Sequence, residues 1–219
     1  MAREPFVRAD GLPVTSLART AFDCMRTLSL REAVAVADSA LRHGTLTYEG
    51  LVSYVAEKGG RYRGARQAAL AARLANPLSE SGGESVVRVA IYELGFAAPD
   101  LQTTVADPLD PTRTYRADFH WRLPDSSDLF GELDGREKYV NPQMNDGSTT
   151  RALLAERRRE SRMTAGQGRI MRFSPDEVAD TAFFSALLET FGVPRDHEPL
   201  IEVPAAPDVE LVPADAYRL

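Results

Sequence analysis

Residues 114–135 read TYRADFHWRLPDSSDLFGELDG, and this stretch decides the fold. Tyr115, Phe119 and Trp121 lie ahead of the turn-rich PDSSD, and Leu129, Phe130 and Leu133 follow it, the pattern of two short strands joined as a hairpin. An acid interrupts each apolar run: Asp118 in the first strand, Glu132 in the second, with Asp134 two residues further on. Working outward, LQTTV at 101–105 predicts another strand, set off by the turn-rich DPLDPTR. Upstream, SESGGESVVRVAIYELG (79–95) predicts a capped amphipathic helix. Downstream come a basic helix, TTRALLAERRRESRMTAG, the apolar strand RIMRF, and a helix SPDEVADTAFFSALLETFG that Ser174 caps and Pro175 starts. The order α, β, β, β, α, β, α defines an α/β (α+β) chain with a small mixed sheet flanked by helices.

The segment before this core has a different grammar. Residues 14–76 predict four helices: VTSLARTAFDCMRTL, SLREAVAVADSALRHG capped by Ser29 and stopped by Gly44, YEGLVSYVAEKG capped by Thr47, and ARQAALAARLANP ended by Pro77. We therefore expect a helical module over 1–78, the mixed domain over 79–192, and an extended acidic tail over 193–219, where prolines recur at 194, 199, 204, 207 and 213.

With 43% hydrophobic and 26% charged residues the 219-residue chain can bury a core in one large domain or two small ones. No apolar run is long enough for a membrane span, and the N-terminal stretch has no signal-peptide h-region, so a soluble, cytoplasmic protein is expected. One cysteine, Cys24, allows no internal disulfide and no Cys/His zinc site. A net charge of −6 would argue against nucleic acid, but it is uneven. Residues 1–78 hold 11 Lys/Arg and 7 Asp/Glu (+4), 79–172 hold 13 and 15 (−2), and 173–219 hold 2 and 10 (−8).

Carboxylates inside apolar strands are unfavourable unless paired or bound to a cation. Glu132 and Asp134, two apart, share a strand face, and Asp118 on a neighbouring strand about 4.8 Å away joins them if the register agrees. A divalent ion such as Mg²⁺ neutralises such a cluster and can activate water against a phosphodiester. The same acids read equally as solvated edge residues or as partners of the arginines, which supply 24 of the 26 basic residues. His120 reads as a packing or exposed residue on the strand face opposite Asp118, and Cys24 as a small core residue. SGGES lacks the preceding strand and the lysine of a phosphate-binding loop.

Taken as an ordered set, SESGGESVVRVAIYELG, YRADFHW, FGELDGREKY, ERRRESRMTAGQGRIMRF and SPDEV resemble the PD-(D/E)XK nuclease superfamily. Within it they are similar to the very short patch repair endonuclease-like domain of actinobacterial AbiEi-type antitoxin-like proteins. LPVTSLARTAFDCMRTLSLREAVAVADSALRHG also resembles the helical linker of those proteins, so the likeness covers roughly 170 residues. The resemblance implies a restriction-endonuclease-like core acting on nucleic acid, DNA in preference to RNA, with Mg²⁺-dependent phosphodiester hydrolysis. It implies alternatively a non-catalytic DNA-binding regulator, the antitoxin of a type IV system with a cognate toxin. It carries the first-helix acid onto Glu84, the motif aspartate onto Asp118 and the (D/E)XK acid onto Glu132, with Asp118 and Glu132 as metal ligands. Asp134 stands where the superfamily has lysine, a departure that moves the lysine role to Lys138, in a position to orient water or stabilise the scissile phosphate. Arg136, Arg151, Arg157, Arg158 and Arg162 are then the expected phosphate contacts. The winged helix-turn-helix that opens AbiEi-type relatives is carried over onto no residue of this sequence.

Overall fold

A computed structural model describes residues 7–134, 148–165 and 168–203. The chain begins with a hairpin, β1 (Val7–Ala9) and β2 (Leu12–Val14), turning at Asp10 and Gly11, both with positive φ. Four helices follow: α1 (Leu17–Met25), α2 (Leu30–Arg42), α3 (Tyr48–Lys58) and α4 (Ala65–Leu74). Their starts obey local chemistry. Ser16, Ser29 and Thr47 each accept a first-turn N–H, and Ser29 with Glu32 forms a reciprocal capping box. Thus Val14, read as the start of the first helix, is instead the end of a strand, because Ser16 captures the helix start two residues later.

The second part is a mixed α/β layer: α5 (Gly82–Glu93), β3 (Asp100–Ala106), β4 (Thr114–Arg122), β5 (Asp128–Leu133), α6 (Ser148–Met163), β6 (Gly168–Phe173), α7 (Pro175–Ala179) and α8 (Thr181–Thr190). The sheet order is β3-β4-β5-β6, with antiparallel pairs except β5 and β6, which are parallel. A parallel pair needs a crossover, and α6 supplies it. The helix and strand order over 79–192 is the expected one except at its end, where the stretch read as one helix after Ser174 is broken at Asp180, which has extended backbone and caps the start of α8.

One apolar core fills the helical layer around Phe22, Met25, Val34, Leu51 and Ala68. Another packs α5, α7 and α8 on the sheet through Val87, Ile91, Phe119, Leu129, Phe173 and Phe184. A small third one, Ala117, Phe130 and Met163, sits under α6. Helix α5 belongs to both layers: Val89 enters the first core while Val87, Ala90 and Ile91 enter the second. Across this seam Arg88 pairs with fully buried Asp38 of α2 at 2.8 Å, and Asp38 also accepts from Asn76 N at 2.6 Å.

Residues 193–203, read as the start of the tail, lie against the end of α5. Ala97 N donates to Pro194 O and Leu200 N to Glu93 O, each at 2.8 Å, while Ile201 and Val203 pack on the second core. Gly95 permits this approach: its φ is +82, and a Cβ there would fall on the His197 carbonyl. Residues 204–219 lie outside the described residues. Among the described residues no helix is long and apolar enough to cross a membrane.

Candidate carboxylate and arginine cleft

The sheet opens where its acids sit. β4 and β5 pair from Arg122 with Asp128 up to Phe119 with Gly131; one step further the register would oppose Asp118 to Glu132, but the ladder stops. Asp118 fills the fork with its side chain, Oδ2 accepting from Leu133 N at 3.3 Å. On the other side of β4 the ladder is interrupted as well. Leu101 pairs with Phe119 and Thr103 with Ala117, but Gln102 between them has φ +53, a left-handed conformation that is costly for a residue with a Cβ. Gln102 therefore flanks Asp118, and its Nε2 donates to Glu84 Oε2 at 2.9 Å.

Glu84 reaches the same place from the first turn of α5. Its N–H is capped by Ser81 Oγ at 3.2 Å. Its buried carboxylate accepts from Glu80 N at 2.8 Å and Ser81 Oγ at 2.9 Å. The Asp118 carboxyl is pushed above the ordinary carboxylate range, first by burial and then by the charges of Glu84 and Glu132, against the opposing Leu133 N–H and Arg159. Three of the four expected acids thus converge on one fork.

Glu132, only 7% exposed, is held by two guanidiniums. Arg159 of α6 bonds Oε1 and also donates to Arg116 O at 2.8 Å; Arg172 of β6 bonds Oε2 at 2.9 Å. The second contact follows from register, since Glu132 and Arg172 are direct partners in the parallel ladder. Arg172 also reaches Asp134 at 3.1 Å and Glu160 at 2.7 Å, so Glu132 and Asp134 share a face as their spacing predicts. Beyond Arg172 an open groove continues between α6 and β6, lined by Arg157, Glu160, Ser161, Thr164 and Ile170.

The expected phosphate contacts divide. Arg157 and Arg158 are exposed on α6. Arg162 is instead turned to Asp107, a buried carboxylate that it meets at 3.2 Å and that Tyr115 Oη also bonds at 2.5 Å. Arg136 and Lys138 lie outside the described residues, as does the side chain of Arg151. His120 corrects the reading of strand faces. It is two residues from Asp118 and so on the same side of a regular strand, where it bonds Asp128 at 2.8 Å and stacks on Phe130.

Among the described residues no three His, Cys, Asp or Glu side chains are placed to hold one metal ion. At Glu132 a guanidinium bonds each carboxylate oxygen, so its charge is already matched within the protein. As arranged, the described residues do not fit Mg²⁺. Sequence reading missed Gln102, and it placed Arg159 and Arg172 among the basic residues open to phosphate without foreseeing them as partners of Glu132. The first is marked only by a backbone conformation, and the arginines become partners of Glu132 only through register and the crossover helix.

No family model matches the chain, and no match to it is found among the curated proteins or the solved structures.

Proposed function

We propose that the chain is a nucleic-acid-binding protein built on a PD-(D/E)XK-like core, with the fork between β4 and β5 and the adjoining α6 surface as the contact region. The observation that carries this reading is the convergence of Glu84, Asp118 and Glu132 on one sheet fork directly beneath a helix that exposes Arg157 and Arg158. Phosphates are met by the exposed guanidiniums, which attract them at long range and bond them in pairs. Glu132, latched by Arg159 and Arg172, supports binding over turnover, the form in which an AbiEi-like antitoxin with a cognate toxin would act.

A second reading, Mg²⁺-dependent phosphodiester hydrolysis, requires the guanidiniums to leave Glu132 and the acids to regroup, and has its own observation. Burial first, and then the charges of Glu84 and Glu132, raise the proton affinity of Asp118 against the Leu133 N–H and Arg159. An added cation would offset that crowding of negative charge.

One experiment separates the two. Labelled duplex DNA, single-stranded DNA and RNA are titrated with the full chain at low salt in EDTA, then incubated with Mg²⁺ or Mn²⁺. Binding in EDTA with no product in either metal supports the regulator. Cutting that needs the metal and is lost in Asp118→Asn supports the nuclease, and absence of binding to all three overturns both.

A further inference from the structure

The helical layer carries a charged surface that the cleft does not use. From Lys58 to Ser79 the chain has five cations, Lys58, Arg61, Arg63, Arg66 and Arg73, and no acid. The sequence around the first four, KGGRYRGAR, interleaves arginine with glycine and one aromatic ring.

The structure fixes this loop rather than leaving it to float. Gly64 has φ +82 and lies so close to α1 that a Cβ would fall on the Arg26 carbonyl. Tyr62 points inward, edge-on to Phe22 at 5.5 Å, with the Arg19 and Arg26 guanidiniums 5.4 and 5.7 Å from its centroid. Gln67 donates to the Met25 carbonyl at 3.3 Å and to that of Leu28. Anchored in this way, the loop and α4 turn Arg61, Arg63, Arg66 and Arg73 to solvent. Arg66 and Arg73 are seven residues apart, two helical turns or about 10 Å, and so on one face.

These four share the lack of an acid, as Arg157 and Arg158 on α6 do. Among the described residues none of them meets a carboxylate, whereas Arg19, Arg31, Arg88, Arg116, Arg159 and Arg172 each do. In a chain of net charge −6 such a patch has not been neutralised by its own surroundings. Its chemistry selects the partner. Guanidiniums bond phosphate oxygens in pairs, better than lysine does. The exposed large apolar side chains among the described residues include none between Lys58 and Arg73, and the one that borders Arg73, Tyr48, spends its hydroxyl on the Arg73 carbonyl at 3.3 Å, so the row of apolar anchors with which a basic helix enters a membrane surface is not formed.

We propose that the α3–α4 loop and the exposed face of α4 form a sequence-independent contact surface for a nucleic-acid phosphodiester backbone, made by Arg61, Arg63, Arg66 and Arg73. It rests on the nucleic-acid reading above and adds to it a second contact area, away from the acids of the fork.

The test compares three full-length proteins: wild type, the quadruple variant Arg61→Ser/Arg63→Ser/Arg66→Ser/Arg73→Ser, and Arg157→Ser/Arg158→Ser on α6. Each is titrated by fluorescence polarisation into labelled duplexes of two unrelated sequences, and into anionic vesicles, over a range of salt. The quadruple variant is expected to keep the wild-type circular dichroism and melting temperature, because the replaced groups are exposed and meet no carboxylate. Its affinity should fall by ~10-fold or more on both duplexes at low salt, with the slope of log K against log salt shallower by about 0.9 for each phosphate no longer neutralised. Wild-type affinity and slope in the quadruple variant would overturn the surface; weaker binding confined to Arg157→Ser/Arg158→Ser would then leave the fork reading standing alone. Weaker binding in the quadruple variant only would support the surface and overturn the fork as the phosphate site. A wild type that binds vesicles but neither duplex would overturn both.

Discussion

Replacing Asp38 with alanine should uncouple the two layers of the molecule. The Asp38 side chain is 0% exposed and that of Arg88 11%, so the pair at 2.8 Å sits in a medium where an unmatched charge is poorly solvated. Alanine leaves Arg88 with the Leu74 carbonyl at 2.5 Å and the Ser79 hydroxyl at 3.4 Å but no counter-ion, and leaves the Asn76 N–H without its acceptor. Breaking a buried pair from one side costs about 3–5 kcal/mol. The orphaned amide alone would add about 1–3 kcal/mol, but water entering the space vacated by the carboxylate serves both groups, so the two do not sum. We expect a destabilisation of about 3–5 kcal/mol, or a melting temperature lower by ~6–20 °C for a chain of this size. Two probes read the coupling. Trp121, the single tryptophan, lies 4% exposed in the core under the sheet, so its fluorescence follows the second layer, while far-ultraviolet circular dichroism is weighted to the helices. In urea the two transitions should coincide in the wild type and separate in Asp38→Ala. The double variant Asp38→Leu/Arg88→Met, which removes both charges together, should recover at least half of the lost stability. A single variant that costs under about 1 kcal/mol, or a double variant as unstable as the sum of the singles, would refute a buried ionic bolt between the layers.

Asp118→Asn keeps an acceptor for Leu133 N but removes a charge that burial and two carboxylates disfavour, so it should raise stability by about 0.5–2 kcal/mol in urea unfolding. Because the folded carboxyl binds its proton more tightly than the unfolded one, wild-type stability should decline as pH rises from the ordinary carboxylate range through the raised folded value, and this decline should vanish in the variant. Asp107 has the opposite sign: the Tyr115 hydroxyl first, then the Leu109 N–H and Arg162, hold it below the ordinary range. Its contribution is present at neutral pH and lost as pH falls through the folded value, so Asp107→Asn should flatten the acid limb of a melting-temperature profile between about pH 5 and 2. Gly64→Ala, which combines a positive φ with a clash on the Arg26 carbonyl, should cost about 2–4 kcal/mol by thermal melting, with the chain still folded at low temperature.

The parts legible in the sequence are those governed by neighbours along the chain. Ser29 with Glu32 and Ser174 with Glu177 are capping boxes four residues long, so the helix starts there follow from local hydrogen bonding. The strands of 114–133 follow from alternation and a turn. The β1–β2 hairpin escapes such a reading because three-residue strands are shorter than any periodicity can register, although Asp10-Gly11 is the turn signal. The site is legible in the same measure. That Glu132 and Asp134 share a face is a matter of spacing, and one arginine, Arg172, accordingly bonds both. That this arginine should be Arg172 depends on the offset of a parallel strand reached through a sixteen-residue helix, which no local rule sets. Asp38 shows the same limit from the other side. An acid among Val34, Ala37 and Leu41 on the apolar face of α2 signals a buried charge, but its partner lies 50 residues on, in α5. Buried charges are therefore visible in a sequence as interruptions of a pattern, while the counter-charges that decide whether they bind a cation, a phosphate or nothing beyond the protein are fixed by long-range register. At the fork that choice has gone to Arg159 and Arg172, and a cation drawn to Glu132 would have to compete with both.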